Sequence, residues 1–201
     1  MNQVAIIDYG VGNLRSVEKA LAATGCDAIV SDDEEVLRAA ERLVLPGVGA
    51  FGACMKALKG RGFDHLVLEK ASEGTLLLGV CVGMQMLFEE SHEFGSTPGL
   101  GLLKGSVRRF AGDLVVPQVG WNRIHQKREH ALFDGVADGA FCYFVHSFYC
   151  QPGDEEVVVG ETEYGQRYAS VVARGNICGV QFHPEKSQDI GLKMLRNFGR
   201  G

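Results

Sequence analysis

The residues best equipped for chemistry are Gly79-Val80-Cys81-Val82-Gly83. They end the apolar run Leu76–Val80, which reads as a strand, and open a segment of helical pattern. Gly-x-Cys-x-Gly between a strand and a helix is the thiol counterpart of the Gly-x-Ser-x-Gly nucleophile elbow. So tight a turn strains the backbone of its central residue, and glycines on either side remove Cβ atoms that would clash. Cys81 is thereby expected at the carboxyl edge of a sheet, over a helix N-terminus. The partial positive charge there favours a thiolate over a thiol. The bland alternative is a buried cysteine in a glycine-containing turn.

A thiolate nucleophile needs a proton shuttle. Among six histidines, His183 lies in Gly179-Val180-Gln181-Phe182-His183-Pro184-Glu185, just after an apolar run. Side chains two residues apart in an extended segment point the same way, so Glu185 can orient the imidazole and stabilise its cation. Cys81, His183 and Glu185 form a plausible triad in that order, although His183 alone also reads as a loop residue capping the next helix. His146, in Tyr143-Phe144-Val145-His146-Ser147, is a rival base with no acid close by in sequence. Acyl transfer also needs an oxyanion hole. Pro46-Gly47-Val48-Gly49 follows another strand, and a backbone N–H such as that of Val48 can meet the Val82 N–H at one oxygen. Gly47-Val48-Gly49-Ala50-Phe51-Gly52 is also a G-x-G-x-x-G, the mark of a dinucleotide site. It sits on the third βα turn rather than the first, and the next strand ends in Cys81 rather than in an acid for a ribose hydroxyl, so the nucleotide reading is the weaker one.

The elements that must position these residues alternate regularly in the first half. Val4–Asp8, Ala28–Val30, Leu43–Leu45 and Leu76–Val80 read as strands, the third stopped by Pro46-Gly47. Helical patterns lie between them, over Leu14–Leu21, Val36–Ala40, Phe51–Lys59 and Phe63–Glu73, and another runs over Gly83–Glu90. Such alternation means a parallel sheet with helices on both faces. The second half reads as strands at Val107–Phe110, Leu114–Val116, Phe141–His146, Val157–Thr162, Ala169–Ala173 and Cys178–Phe182, then a helix over Ile190–Phe198. The fold class is α/β, a mostly parallel sheet flanked by helices with an antiparallel strand extension.

The 201 residues suit one domain, 1–201, and 46% apolar with 22% charged residues excludes wholesale disorder. The 27 glycines without a repeat serve turns rather than a collagen. The 20 Lys and Arg are scattered and the net charge is -5, so no nucleic-acid partner is expected. No apolar run approaches the ~18 residues of a spanning helix, so no membrane is expected either. The start MNQVAIIDYG lacks the basic and long apolar regions of a secretory signal, which points to the cytoplasm and to six reduced cysteines. None of the six forms a CxxC pair, so no metal site is indicated.

Elbow, oxyanion strand and Phe-His-Pro-Glu together resemble the class I (triad) glutamine amidotransferases, which are flavodoxin-like. Ile7-Asp8-Tyr9-Gly10-Val11-Gly12-Asn13-Leu14-Arg15-Ser16, Leu45-Pro46-Gly47-Val48-Gly49-Ala50-Phe51, Gly79-Val80-Cys81-Val82-Gly83-Met84-Gln85, Gly120-Trp121-Asn122 and His183-Pro184-Glu185-Lys186-Ser187 narrow the likeness. In this order they resemble the glutaminase subunits of imidazole glycerol phosphate synthase in histidine biosynthesis, over essentially the whole chain. The resemblance implies that Cys81 attacks the side-chain amide of glutamine, His183 transfers the protons and Glu185 orients His183. Gly49, Gln85, Glu93 and the backbone around Ser147 are then expected to hold the amino-acid end of glutamine. It implies no cofactor and no metal, and a heterodimer with a (β/α)8-barrel cyclase that receives the ammonia, Asn13, Trp121, Asn122, Tyr143 and Lys186 standing at the interface. Gln118 departs from the His or similar residue expected there in many relatives. A glutaminase with another acceptor, such as that of pyridoxal phosphate synthase, and an inactive binding module of the same fold are the alternatives. The first is disfavoured by Gly120-Trp121-Asn122 and His183–Ser187, the second by the intact Cys81, His183 and Glu185.

Overall fold

The computed structural model describes residues 3–112 and 114–200. The first half builds β1 (Gln3–Ile7), α1 (Leu14–Ala23), β2 (Asp27–Ser31), α2 (Glu34–Ala39), β3 (Arg42–Gly47), α3 (Phe51–Gly60), α4 (Phe63–Ser72), β4 (Leu76–Cys81) and the short α5 (Val82–Met86). The second half builds β5 (Phe88–Ser91), β6 (Thr97–Pro98), β7 (Leu103–Arg109), β8 (Gln118–Gln126), β9 (Ala140–His146), β10 (Phe148–Pro152), β11 (Val158–Glu163), β12 (Arg167–Arg174), β13 (Ile177–Val180) and α6 (Gln188–Arg200).

The main sheet runs β2-β1-β3-β4-β13-β12-β10-β7-β5-β6. Its first five strands are parallel, and antiparallel pairing begins at β13–β12. β1, β3 and β4 are almost wholly buried, which explains their unbroken Val, Leu and Ile runs: a parallel strand covered on both faces has no solvent side to make polar. The β8–β9 ribbon joins through β11, and β8 and β9 pair from Gln118↔His146 to Ile124↔Ala140. No helix of the described residues is long and apolar enough to cross a membrane.

Four local expectations are corrected. β3 does not stop at Leu45: Pro46 and Gly47 continue in register with Val80 and Cys81. A Cβ on Gly47 would stand 2.6 Å from the Gly83 N, so only glycine lets this strand pass the elbow. The helix read over Gly83–Glu90 ends at Met86, because Phe88 leaves it to pair with Leu103 of β7. Leu114–Val116 forms no strand; Val115 is exposed, and its carbonyl accepts the Tyr164 hydroxyl instead of a ladder bond. The nine-residue β8, which carries Gly120-Trp121-Asn122, has no counterpart among the strands read from sequence.

Candidate active site

Three neighbouring parallel strands deliver the three parts of the site at their carboxyl ends. β3 leads into Gly47-Val48-Gly49, β4 ends at Cys81, and β13 leads through Gln181 and Phe182 to His183. The crevice outside the carboxyl ends of parallel strands is where open α/β sheets bind ligands. Cys81 adopts φ 56 and ψ -112, a left-handed conformation that costs a non-glycine residue about 1–3 kcal/mol. The flanking glycines are required by contact: a Cβ on Gly79 would lie 2.7 Å from the Gly83 O, and one on Gly83 would lie 1.9 Å from the Leu45 O.

Cys81 lines a cavity of about 320 Å³. Val48, Gly49, Val82, His183 and Lys186 line it too. Val82 opens α5, where first-turn N–H groups have no partner within the helix. The His183 Nδ1 donates to the Glu185 Oε1 at 2.9 Å, and the Glu185 side chain is sealed from solvent behind the ring. Burial opposes charge on the His183 imidazole, but hydrogen bonds and charge from Cys81 and Glu185 outweigh it, so the ring is pushed up to about 10. His183 therefore holds its proton at neutral pH. In Cys81→Ala one of the two partners that raise it is gone, and the imidazole is expected to lose its proton at a lower pH than in the unsubstituted chain. Chemical shifts of the ring's carbon-bound protons measure the midpoint; an unmoved midpoint would mean that Cys81 does not hold the charge.

His146, the rival base, is otherwise engaged. Its Nδ1 donates to the Phe148 carbonyl at 2.8 Å, and its Nε2 meets the Tyr168 hydroxyl at 3.2 Å. Burial pushes it down to about 4, so it is a neutral wall of the cavity rather than a base paired with an acid.

The residues expected to hold glutamine do meet at the cavity: Gly49, Gln85, Glu93 and Ser147 all line it. Two are partly committed to the protein. The Gln85 Nε2 donates to the Phe148 carbonyl and to the Gln181 Oε1, at 3.1 and 3.0 Å, and the Glu93 Oε2 accepts the Phe51 N–H at 2.6 Å. Gln181 has no role in the sequence reading, yet it is fully buried and its Nε2 lies 3.9 Å from the Cys81 sulfur. The available signal was a polar side chain between Val180 and Phe182 in a buried run.

The residues read as interface positions separate into two groups. Trp121, Tyr143 and Lys186 are contiguous: the Trp121 and Tyr143 rings stack edge-on at 5.8 Å, and the Lys186 Nζ lies 5.9 Å from the Tyr143 ring centre. Asn13 instead reaches Glu185, its Nδ2 lying 3.5 Å from the Oε1. Asn122 is held by its own chain, donating to the Glu163 carbonyl at 2.9 Å.

The fold and site define a family. A model of "Glutamine amidotransferase class-I" matches residues 5–200, and the chain belongs to that family. More particularly, it is 48% identical over 200 residues to the imidazole glycerol phosphate synthase subunit HisH of Symbiobacterium thermophilum, covering 100% of this chain and 94% of the relative. The HisH subunit of Moorella thermoacetica is 49% identical over 199 residues, covering 99% and 95%. A crystal structure described as a glutamine amidotransferase superposes with a TM-score of 0.76 at 23% identity, covering 98% of both chains. The structure of PurLQS from Thermotoga maritima gives 0.78 at 20% identity, covering 98% of this chain and 96% of that one. At those identities the two structures speak for the fold alone.

Proposed function

We propose that the chain is the glutaminase of an imidazole glycerol phosphate synthase in histidine biosynthesis, with Cys81, His183 and Glu185 as its catalytic triad. The observation that carries this reading is the strained Cys81 elbow lining one cavity with His183, whose Nδ1 is held by a buried carboxylate. The Cys81 sulfur attacks the side-chain amide carbon of glutamine, and the carbonyl electron pair moves onto oxygen. The Val48 and Val82 N–H groups stabilise that oxyanion. His183 gives its proton to the amide nitrogen, the C–N bond breaks, and ammonia departs to leave a γ-glutamyl thioester. Neutral His183 then takes a proton from water as the water attacks the thioester. The second tetrahedral species expels the sulfur, releases glutamate and restores the starting pair. Glu93 and the Gln85 oxygen suit the ammonium of the amino-acid end, and backbone N–H groups near Gly49 and Ser147 suit its carboxylate.

The ammonia acceptor in this reading is a (β/α)8-barrel cyclase bound as the second subunit of a heterodimer. Its products are imidazole glycerol phosphate and an aminoimidazole carboxamide ribonucleotide. The docking face proposed is the outer side of the β8–β9 ribbon. Val119 and Val145 form one cross-strand pair there and Trp121 and Tyr143 the next; Val145 lines the cavity, while Val119 and Trp121 are exposed. Tryptophan is enriched in interface hot spots, and here an exposed apolar strip begins at the mouth of the site.

Release of ammonia from glutamine by the chain with its cyclase and nucleotide tests the reading; absence of any release would overturn it. His183→Ala and Glu185→Ala are expected to fall unequally in that assay. His183 moves protons in both half-reactions, whereas Glu185 orients and stabilises. The Glu185 variant should therefore keep about 10 to 100 times more turnover, as triad members contribute unequally elsewhere. A Glu185 variant slower than the His183 variant would reverse the two roles.

A further inference from the structure

Two buried side chains with no part in the triad grip the strand beside it. Tyr9, two residues beyond β1, donates its hydroxyl hydrogen to the Pro46 carbonyl at 2.5 Å. Cys54, in the first turn of α3, donates its thiol hydrogen to the Val48 carbonyl at 3.3 Å. Tyr9 is 2% exposed and Cys54 not at all. The Met86 sulfur stands 3.9 Å from the hydroxyl. Burial raises the pKa of both groups, so both remain donors through the working range.

The two accepting carbonyls belong to alternate peptides. The Pro46 oxygen marks the Pro46–Gly47 peptide and the Val48 oxygen the Val48–Gly49 peptide. Between them lies the Gly47–Val48 peptide, which carries the Val48 N–H. A single peptide turns about its long axis through ψ of the residue before it and φ of the residue after it, while the flanking peptides stay in place. Tethering both neighbours fixes that axis. Gly47 already admits no Cβ against the Gly83 N.

We propose that Tyr9 and Cys54 are positioning residues for the reaction: a buried clamp that holds the two outer carbonyls of Pro46–Gly49 and so fixes the axis about which the Val48 N–H between them turns onto the oxyanion over Cys81. This rests on the reading of Val48 as an oxyanion donor given above. The clamp acts through the transition state and not through glutamine binding. Its loss therefore lowers kcat while leaving KM for glutamine unchanged.

Tyr9→Phe and Cys54→Ala each delete one donor hydrogen with little change of shape, and Cys54→Ser keeps a donor. In the full chain with its cyclase and nucleotide, Tyr9→Phe and Cys54→Ala are expected to lose about tenfold or more in kcat, a fraction of the 10²–10³ lost with a whole oxyanion donor. KM should stay within about twofold, and Cys54→Ser should recover most of the loss. Two probes of Cys81 separate aiming from general damage. Glutamate γ-semialdehyde takes the Cys81 sulfur at its aldehyde carbon and places the carbonyl electron pair on oxygen, so its affinity should fall in step with kcat. Iodoacetamide alkylates the same sulfur with loss of iodide and no oxyanion, so its rate at Cys81, read by peptide mass, should not change. Unchanged kcat and aldehyde affinity in both deletions, with an active parent, would overturn the clamp. So would a parallel fall in alkylation, which would mark Tyr9 and Cys54 as ordinary packing residues. An inactive parent would instead overturn the functional reading itself.

Discussion

Replacing Cys81 with alanine is expected to reduce glutamine hydrolysis to the background of the assay. Loss of the nucleophile in a triad hydrolase lowers kcat by about 10⁶, because the covalent route closes and only binding and oxyanion stabilisation remain. No other thiol of the chain can replace it. Cys54, Cys142, Cys150 and Cys178 are buried, and burial raises the pKa of each, Cys142 and Cys178 to about 12, so that they stay protonated. Cys26 lies beside Thr24 just past the end of α1, at the far end of β2 from the carboxyl edge where Cys81 stands. A glutamine-like electrophile should therefore label Cys81 alone and stop ammonia release in proportion to the label. Wild-type turnover by Cys81→Ala in the complex would remove the thioester mechanism altogether.

The three residues proposed as a triad stand out in the sequence because each part is local. The elbow is fixed by glycines two residues either side of Cys81, and Glu185 lies two residues from His183. The structure adds what neighbouring strands bring together. Asn13 meets Glu185 across 172 positions, Gln85 meets Gln181 across 96, and Tyr9 meets Pro46 across 37. No periodicity encodes such contacts; they follow from the β1-β3-β4-β13 strand order. Asn13 shows the consequence. Its place in a motif gives no sign that the fold sets its amide 3.5 Å from the Glu185 carboxylate.

The parallel half of the sheet was legible for a related reason. A strand covered on both faces reads as an unbroken apolar run, and β1, β3 and β4 do. β8 does not. Gly120, Asn122, Arg123, His125 and Gln126 give it poor strand propensity, and pairing with β9 and β11 holds it in place instead. The same dominance of pairing over local preference ends α5 at Met86, where Phe88 joins β7. Leu114–Val116 is the converse: its apolar character promised a buried strand, yet Val115 is exposed. Val115 and Val119 leave apolar surface in the segment around Pro117, at the rim of the cavity.

That rim bears on the largest effect expected of the intact protein. The isolated chain should hydrolyse glutamine slowly, and the cyclase with its bound nucleotide should raise turnover by about 10²–10³. The magnitude is that of one oxyanion donor gained or lost. The Gly47–Val48 peptide is the place for such a gain. In one orientation it presents the Val48 N–H to the tetrahedral oxygen, and in the other the Gly47 carbonyl, which repels it. Val48 is 36% exposed and lines the same cavity as Pro117, Lys186 and Val145 of β9, so this peptide and the proposed docking ribbon border one cavity. A partner shifts the two orientations only as far as its contacts differ between them, and a 10²–10³ change needs about 3–4 kcal/mol of difference. An acceptor awaiting amination makes such coupling useful, since ammonia released without it is lost to water. Turnover by the purified chain alone, by the chain with cyclase, and by the chain with cyclase and nucleotide should rise in that order, with KM for glutamine changing far less than kcat. Full turnover by the chain alone would remove the coupling. Activation expressed wholly in KM would move it from the oxyanion to the glutamine subsite formed by Gln85 and Glu93.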